Sequence, residues 1–334
     1  MLVGAVIVMV LSVGVMVAPV PYVVLEPGPT WDTLGEDGGE PVIQVEGDGV
    51  SVTDSAGQLH MTTVSVDSEV DLLDAIYAWF DAEDAVVPEE LIFPPDQTPE
   101  EVEQRNAEQF TRSQTAAETA ALRQLGYPSV VAVASVAEGT PADGRLAAGD
   151  VIETVDGAEV TDVPTLQRLV TAQPAGTTLA IGYRRDGEPG RTEVTTAAVG
   201  EDDTPRLGVA VTYQVDAPFE VTIGLEDIGG PSAGLVFALG IIDKLEPEDL
   251  TGGRIIAGTG SIDELGNVGA IGGIAQKLVA AGQLGATAFL VPSPNCAEAL
   301  ANAPPGMTLI RVGTLEQALA GLADLRADRA PTGC

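Results

Sequence analysis

Ile228-Gly229-Gly230-Pro231-Ser232-Ala233-Gly234-Leu235 decides how this chain is read, together with Ile271-Gly272-Gly273-Ile274-Ala275-Gln276-Lys277-Leu278 further on. Each sets paired glycines ahead of an apolar run, a pattern that lets the chain turn tightly into a helix. In the first, Pro231 suits the opening position of a helix and Ser232 falls at its N-terminus. Unpaired N–H groups and the helix dipole stabilise an anion there. An acyl-transfer nucleophile beside an oxyanion hole has this setting, with Gly230, Pro231 and Ala233 shaping the turn. Ordinary capping by Gly-Pro-Ser is the plain alternative. In the second stretch, Lys277 enters the first turns of a helix whose other residues are almost all small or apolar. To act as a base near neutrality, a lysine must fall by about 3 units from ~10.4, a cost of about 4 kcal/mol. Desolvation and the positive potential of a helix start both act in that direction. A lysine whose head reaches water is the alternative, but only two of the 15 basic residues are lysines, Lys244 and Lys277.

A serine nucleophile needs a base. The chain has one histidine, His60, within the strand-like run Leu59–Val66, where it reads as a strand residue with its ring satisfied. The base is therefore expected to be lysine or a carboxylate. One histidine and two cysteines leave no ligand set for zinc, so no metal and no cofactor are expected. Lysines that precede only Leu245 and Leu278 exclude a phosphate-binding loop, and with it ATP use. Acidic residues outnumber basic ones 50 to 15, a net charge of -35 that repels a phosphate backbone and argues against nucleic acid as a partner. Cys296 and Cys334 could pair in an oxidising compartment, a point the sequence leaves open.

Residues 1–25 carry no charged side chain, enough to cross a hydrocarbon core of ~30 Å. Met16–Pro21 offers no good small-x-small cleavage site, which favours an uncleaved transmembrane anchor over a signal peptide. The acidic body is then expected on the extracytoplasmic side of the cell membrane. Within residues 26–126, β-like runs at Pro41–Glu46 and Leu59–Val66 precede a helical pattern over Val70–Phe80. An acidic stretch follows. Its second half, Pro99–Leu125, has helical composition but few large apolar residues and reads as a solvated helix or linker.

Residues 127–200 read as a separate unit. The β run Val130–Val136 leads to Gly139-Thr140-Pro141-Ala142, then to Leu146–Ile152, an Asp156-Gly157 hairpin turn and a helix over Pro164–Thr171. This order, and the run EGTPADGRLAAGDVIETVDGAEV over Glu138–Val160 above all, resembles a PDZ domain. The resemblance implies a β-rich fold that adds a peptide strand to a sheet edge. It places that edge at Val130, Val131, Ala132 and Val133, beside the helix. Gly126-Tyr127-Pro128-Ser129 stands where a Gly-apolar-Gly-apolar carboxylate loop is expected, so binding of free C-termini stays open.

In residues 205–325, strands at Leu207–Val215 and Phe219–Gly224 precede a helix over Pro231–Lys244. Strands at Arg254–Thr259 and Thr287–Val291 flank a helix over Gly273–Gln283. A helix from Ala297, a strand at Met307–Val312 and a helix over Leu315–Leu325 follow, giving an α+β layered fold. Residues 326–334 form a tail expected to fray.

The Ser232 and Lys277 motifs, with Thr259-Gly260-Ser261-Ile262 and Gly266–Gly273 between them and Val291-Pro292-Ser293-Pro294-Asn295 after, resemble the Ser-Lys proteolytic domain of the Lon proteases. The resemblance implies mixed sheets with flanking helices. It makes Ser232 the nucleophile, Lys277 the general base and Thr259 a hydroxyl that positions the amine. It also assigns the early β runs to the same domain, with the PDZ-like unit inserted. Gly229 replaces an Asp of that family, Ala275-Gln276 replace a charged pair, and the ATPase module is missing. Anchor, PDZ and Lon-like domain in this order look like the YlbL-type membrane proteases of Gram-positive bacteria. The expectation is a membrane-anchored, ATP-independent serine endopeptidase acting on flexible or unfolded polypeptides, small membrane or exported proteins among them. A hexamer is implied by resemblance. The alternative is a non-catalytic PDZ scaffold or chaperone-like module on a degenerate Lon-like fold.

Overall fold

Runs of β-branched residues separated by glycine, proline and aspartate turns give this chain more strands than its sequence pattern alone reveals. The computed structural model describes residues 18–47, 50–199, 203–215, 217–225 and 228–334. In chain order the main elements are β1 Tyr22–Asp32, β2 Ile43–Gly47, β3 Gln58–Asp67, α1 Leu72–Phe80, β4 Ala85–Pro88 and α2 Pro99–Gln124. There follow β5 Ser129–Val136, β6 Val151–Val155, α3 Val163–Thr171, β7 Thr178–Arg185, β8 Glu188–Thr195 and β9 Val209–Val215. The chain continues with β10 Phe219–Ile223, α4 Gly234–Leu245, β11 Ile255–Gly258, β12 Ser261–Ile262, β13 Val268–Gly269 and α5 Ile274–Leu284. It closes with β14 Ala288–Pro292, α6 Cys296–Asn302, β15 Thr308–Val312 and α7 Leu315–Arg326.

These elements form two units. Residues before Leu125 and after Pro218 make the larger one, and Leu125–Pro218 is inserted between its two segments. The larger unit is built on a mixed sheet of order β15-β14-β11-β3-β1-β4. Strands β15, β14, β11 and β3 are parallel, and β1 is antiparallel to β3 and β4. Every residue of β14 is buried, as expected of a parallel strand covered on both faces. The β3–β11 pairing joins the two chain segments across the insertion, Leu59 opposite Ile256 and Met61 opposite Gly258.

Several expectations change. Residues 1–17 of the expected anchor lie outside the described residues, and its last residues, Tyr22–Leu25, belong to β1 rather than to a helix. No helix among the described residues is long and apolar enough to cross a membrane. Helix α2 is not a solvated linker. Its Phe110, Ser113, Ala116, Ala117, Ala120 and Ala121 are buried, and Phe110 meets Phe237 of α4 edge to face at 5.7 Å. Small residues let α2 and α4 approach closely, so burial here leaves no stripe of large apolar side chains to read. Strand β9 pairs with β5 and belongs to the inserted unit, not to the 205–325 domain.

The tail does not fray. The Arg311 N–H donates to the Thr332 carbonyl at 3.0 Å, Gly333 bridges to Ile310, and Cys334 is disulfide-bonded to Cys296 over a separation of 38 residues. Closing a loop of that size removes unfolded-state entropy worth about 4 kcal/mol. Reduction, or the Cys296→Ser/Cys334→Ser double variant, should lower the thermal unfolding midpoint accordingly. An unchanged midpoint in calorimetry would show that the bridge contributes nothing.

Candidate active site

Helix α4 begins at Gly234, so Ser232 lies on the turn just before the helix rather than in its first turn. Gly230 makes that turn with φ of +85°, a conformation that penalises any side chain. The turn is held from three sides. The Gly230 N–H donates to the Asn106 carbonyl at 3.0 Å, and Ser113 Oγ donates to the Pro231 carbonyl at 3.0 Å. The Ser232 carbonyl accepts from the Gly260 N–H at 2.8 Å and from Thr259 Oγ1 at 3.0 Å. Two of these ties come from α2. A Cβ at position 229 would sit 3.0 Å from that of Asn106, a tight fit that favours glycine over a carboxylate there.

Lys277 is the fourth residue of α5. Gly273, just before the helix, has φ of +66°, and a Cβ on it would fall 2.6 Å from Val64 Cγ2. Only glycine fits. Two residues earlier, Asn295 clamps the backbone of Ile271: its Oδ1 accepts from the Ile271 N–H at 3.0 Å and its Nδ2 donates to the carbonyl at 2.9 Å. The sequence marked Asn295 only as part of a loop motif. Its partner, distant in sequence, could not be read from it.

These supports bring Lys277 Nζ to 2.8 Å from Ser232 Oγ and 2.9 Å from Thr259 Oγ1. Lys277 is 3% exposed and Thr259 fully buried, while Ser232 remains partly accessible. Burial pulls the lysine pKa from its ordinary value down to about 7. Because the Thr259 hydroxyl donates to the Ser232 carbonyl, it can only accept from the amine. A neutral amine so engaged keeps its lone pair for the serine proton. Gly230, Pro231 and Ala233 supply the turn rather than side-chain contacts. His60 takes no part: it is buried in β3, its Nε2 faces Gln58 Oε1 at 3.4 Å, and its Nδ1 has no partner among the described residues. Its ring is therefore not satisfied as expected. No group of His, Cys, Asp and Glu side chains among the described residues could hold a metal.

In the inserted unit the sheet runs β8-β7-β6-β5-β9. Val130, Val131, Ala132 and Val133 are not an open edge, because they pair with Gln214, Tyr213, Thr212 and Val211 of β9. Strand β9 is the outer strand, and a cavity of about 740 Å³ lies between it and α3, lined by Pro164, Val170, Leu207, Gly208, Val209 and Val211. Arg206-Leu207-Gly208-Val209 heads this groove, with Gly208 at φ of +85° and packed on Thr140. A glycine-containing turn thus precedes the outer strand, which in this sheet comes last in the chain.

The buried amine makes stability depend on pH. Between about pH 7 and 10.5 the unfolded chain holds a proton on Lys277 that the folded chain lacks, so stability rises with pH across that window. Lys277→Met removes this penalty. At pH 7 the variant should be more stable by about 4 kcal/mol, the gain shrinking toward pH 10. Denaturant unfolding at several pH values would measure it, and a variant no more stable at pH 7 would show that the amine is not held neutral.

Residues 214–320 match the family model of the Lon protease (S16) C-terminal proteolytic domain, and residues 102–196 match that of the PDZ domain. The PDZ match begins within α2, which packs in the larger unit. A Lon protease of Clostridioides difficile is 44% identical over 63 residues, which are 19% of this chain and 8% of that protein. The chain therefore matches only a small part of that relative's length. Among solved structures, the PDZ domain of an SdrC-like protein from Listeria monocytogenes is 26% identical, covering 25% of this chain and 86% of that one, with a TM-score of 0.24. The corresponding domain from Listeria innocua is 28% identical, covering 25% and 92%, also at 0.24. The chain thus carries a domain of the Lon protease (S16) C-terminal proteolytic type together with a PDZ domain.

Proposed function

We propose that the chain is a membrane-anchored endopeptidase that cleaves flexible or unfolded polypeptides without ATP, using Ser232 and Lys277 as a catalytic dyad. The observation that carries this reading is the Nζ–Oγ separation of 2.8 Å at a lysine whose burial brings its pKa to about 7. Neutral Lys277 takes the Ser232 proton as Oγ attacks the peptide carbonyl, then returns it to the leaving amine. The Leu235 and Val236 amides are engaged with the Gly260 and Ala233 carbonyls, so the backbone N–H groups of the turn at Ser232 and Ala233 stabilise the oxyanion. The acyl-enzyme is hydrolysed by a water that gives its proton to the same lysine. Thr259 holds the amine in place by hydrogen bonding. A disulfide between Cys296 and Cys334 favours an oxidising, extracytoplasmic setting, and the uncharged residues 1–17, ahead of the folded unit, supply the anchor.

The full chain should degrade an unfolded protein such as reduced casein without ATP, and Ser232→Ala or Lys277→Ala should each lower the rate by at least about a thousandfold. The rate should climb with pH as Lys277 loses its proton, half-maximal near the pKa of about 7. Cleavage that survives both substitutions would overturn the dyad. A folded parent that cleaves nothing would favour the non-catalytic scaffold.

Polypeptide substrates dock, in this reading, as an added strand on β9 against α3. Val209→Arg, which fills the groove, should slow cleavage of the protein substrate while sparing a short peptide too small to engage it. Equal rates on both substrates would remove the groove from substrate capture.

A further inference from the structure

Helix α1 is built inside out for a water-soluble surface. Its N-terminus is firmly capped, Asp71 accepting from the Leu73 and Asp74 N–H groups and Asp74 in turn accepting from the Asp71 N–H. The side it packs against Val24, Val70 and Val86 is formed by Ala75 and Ala78. The large residues face outward: Ile76 is 45% exposed, Tyr77 75%, Trp79 71% and Phe80 85%. Four bulky apolar or aromatic side chains on a nine-residue helix make a contiguous patch, which a surface in contact with water rarely carries. Tyr22, at the start of β1, is exposed as well.

The place where the N-terminal residues join the fold identifies what covers this patch. The chain enters the described structure at Ala18–Pro21, and those residues are fastened to the beginning of α1. Pro19 bridges to Asp71, the Val20 N–H donates to the Val70 carbonyl at 3.2 Å, and Val20 packs in the same cluster as Ala75 and Ala78. A helix of nine residues is only ~14 Å long. The aromatic face thus begins where the uncharged N-terminal segment ends. Trp and Tyr, apolar in body and polar at the tip, favour the headgroup level of a bilayer.

We propose that the exposed face of α1 inserts into the headgroup region of the membrane beside the N-terminal anchor, as a second contact that holds the proteolytic domain against the lipid surface. This rests on the membrane-anchored reading above. Asp71, Asp74, Asp81, Glu83 and Asp84 flank the face, so the chemistry fits uncharged, zwitterionic headgroups and opposes anionic ones.

The chain has two tryptophans, so Trp31→Phe leaves Trp79 as the only reporter. With this full-length variant in phosphatidylcholine vesicles, a lipid spin-labelled near the headgroup should quench Trp79 emission about twofold, and a label at the bilayer centre should do so far less. Replacing half the lipid with phosphatidylglycerol should weaken the quenching at low salt, and added salt should restore it. In Trp79→Phe, which retains Trp31, neither label should act. That second variant keeps the test decisive if Trp31→Phe fails to fold, because the native chain should then show quenching that Trp79→Phe abolishes. A chain that floats with vesicles while Trp79 stays unquenched would overturn the proposal and leave the anchor standing. A chain that does not float overturns both. Trp79 already shielded without lipid, in the monomer or only in an oligomer, would assign the face to the chain's own N-terminal residues or to a second copy, and would equally overturn it.

Discussion

A single amine, that of Lys277, held out of water between two hydroxyls is the constraint around which the larger unit is arranged. Burying Lys277 costs the fold on the order of 4 kcal/mol relative to a lysine in water. The surrounding structure offsets that cost with apolar packing: α4 is buried along nearly its whole length, and Ile274, Leu278 and Ala281 of α5 are inaccessible to solvent. The amine is then fixed by geometry that tolerates few substitutions. Gly273 must be glycine both for its positive φ and for the closeness of Val64, and the Asn295 clamp sets how the chain enters α5. The carbonyls of Pro231 and Ser232 are both engaged, so the Ser232 hydroxyl cannot drift from Lys277 without breaking several hydrogen bonds.

The inserted PDZ domain divides the proteolytic unit in sequence but not in space. Strands β1 and β3 precede the insertion and β11 follows it, yet β3 and β11 are neighbours in one sheet, with Thr62 Oγ1 also donating to the Gly258 carbonyl at 3.2 Å. The insertion leaves the larger unit at the end of α2 and returns at the start of β10. These two elements are themselves linked, Gln114 Nε2 donating to the Ile223 carbonyl at 3.4 Å, and α2 supplies two of the ties on the Ser232 turn. The chain around the insertion thus both closes the unit and positions the turn that carries Ser232. Residues 26–126, whose second half looks like a connector from its composition, are as much a part of the site as the motif that holds the serine.

Legibility followed the range of the interaction concerned. The Asp156-Gly157 hairpin could be read directly, because both residues need positive φ and the dipeptide favours it. Helices α1, α3 and α7 were visible from apolar spacing to within a residue or two. The start of strand β1 at Tyr22–Leu25 merges with the uncharged run before it, and hydropathy does not mark where one element ends and the next begins. Helix α2 hides its burial from the sequence because most of its buried stripe is Ala, Ser and Thr. That Val130–Val133 are no open edge is not legible, because a β run carries no mark of whether a later strand will cover it, and β9 does.

Composition alone restricts the chemistry: one histidine and two lysines leave few bases for a serine, and glycine spacing marks the two helix starts near which Ser232 and Lys277 lie. Such constraints are local, or are sums over the chain, and need no knowledge of where distant residues meet. Contacts between residues far apart in sequence required the fold. The 2.8 Å approach of Lys277 to Ser232, the role of Asn106 and Ser113, the Cys296–Cys334 bridge and the outward face of α1 each depend on which elements pack together. Burial lowers a pKa only once the surrounding side chains have excluded water, and that is a property of the packed chain rather than of any segment in it.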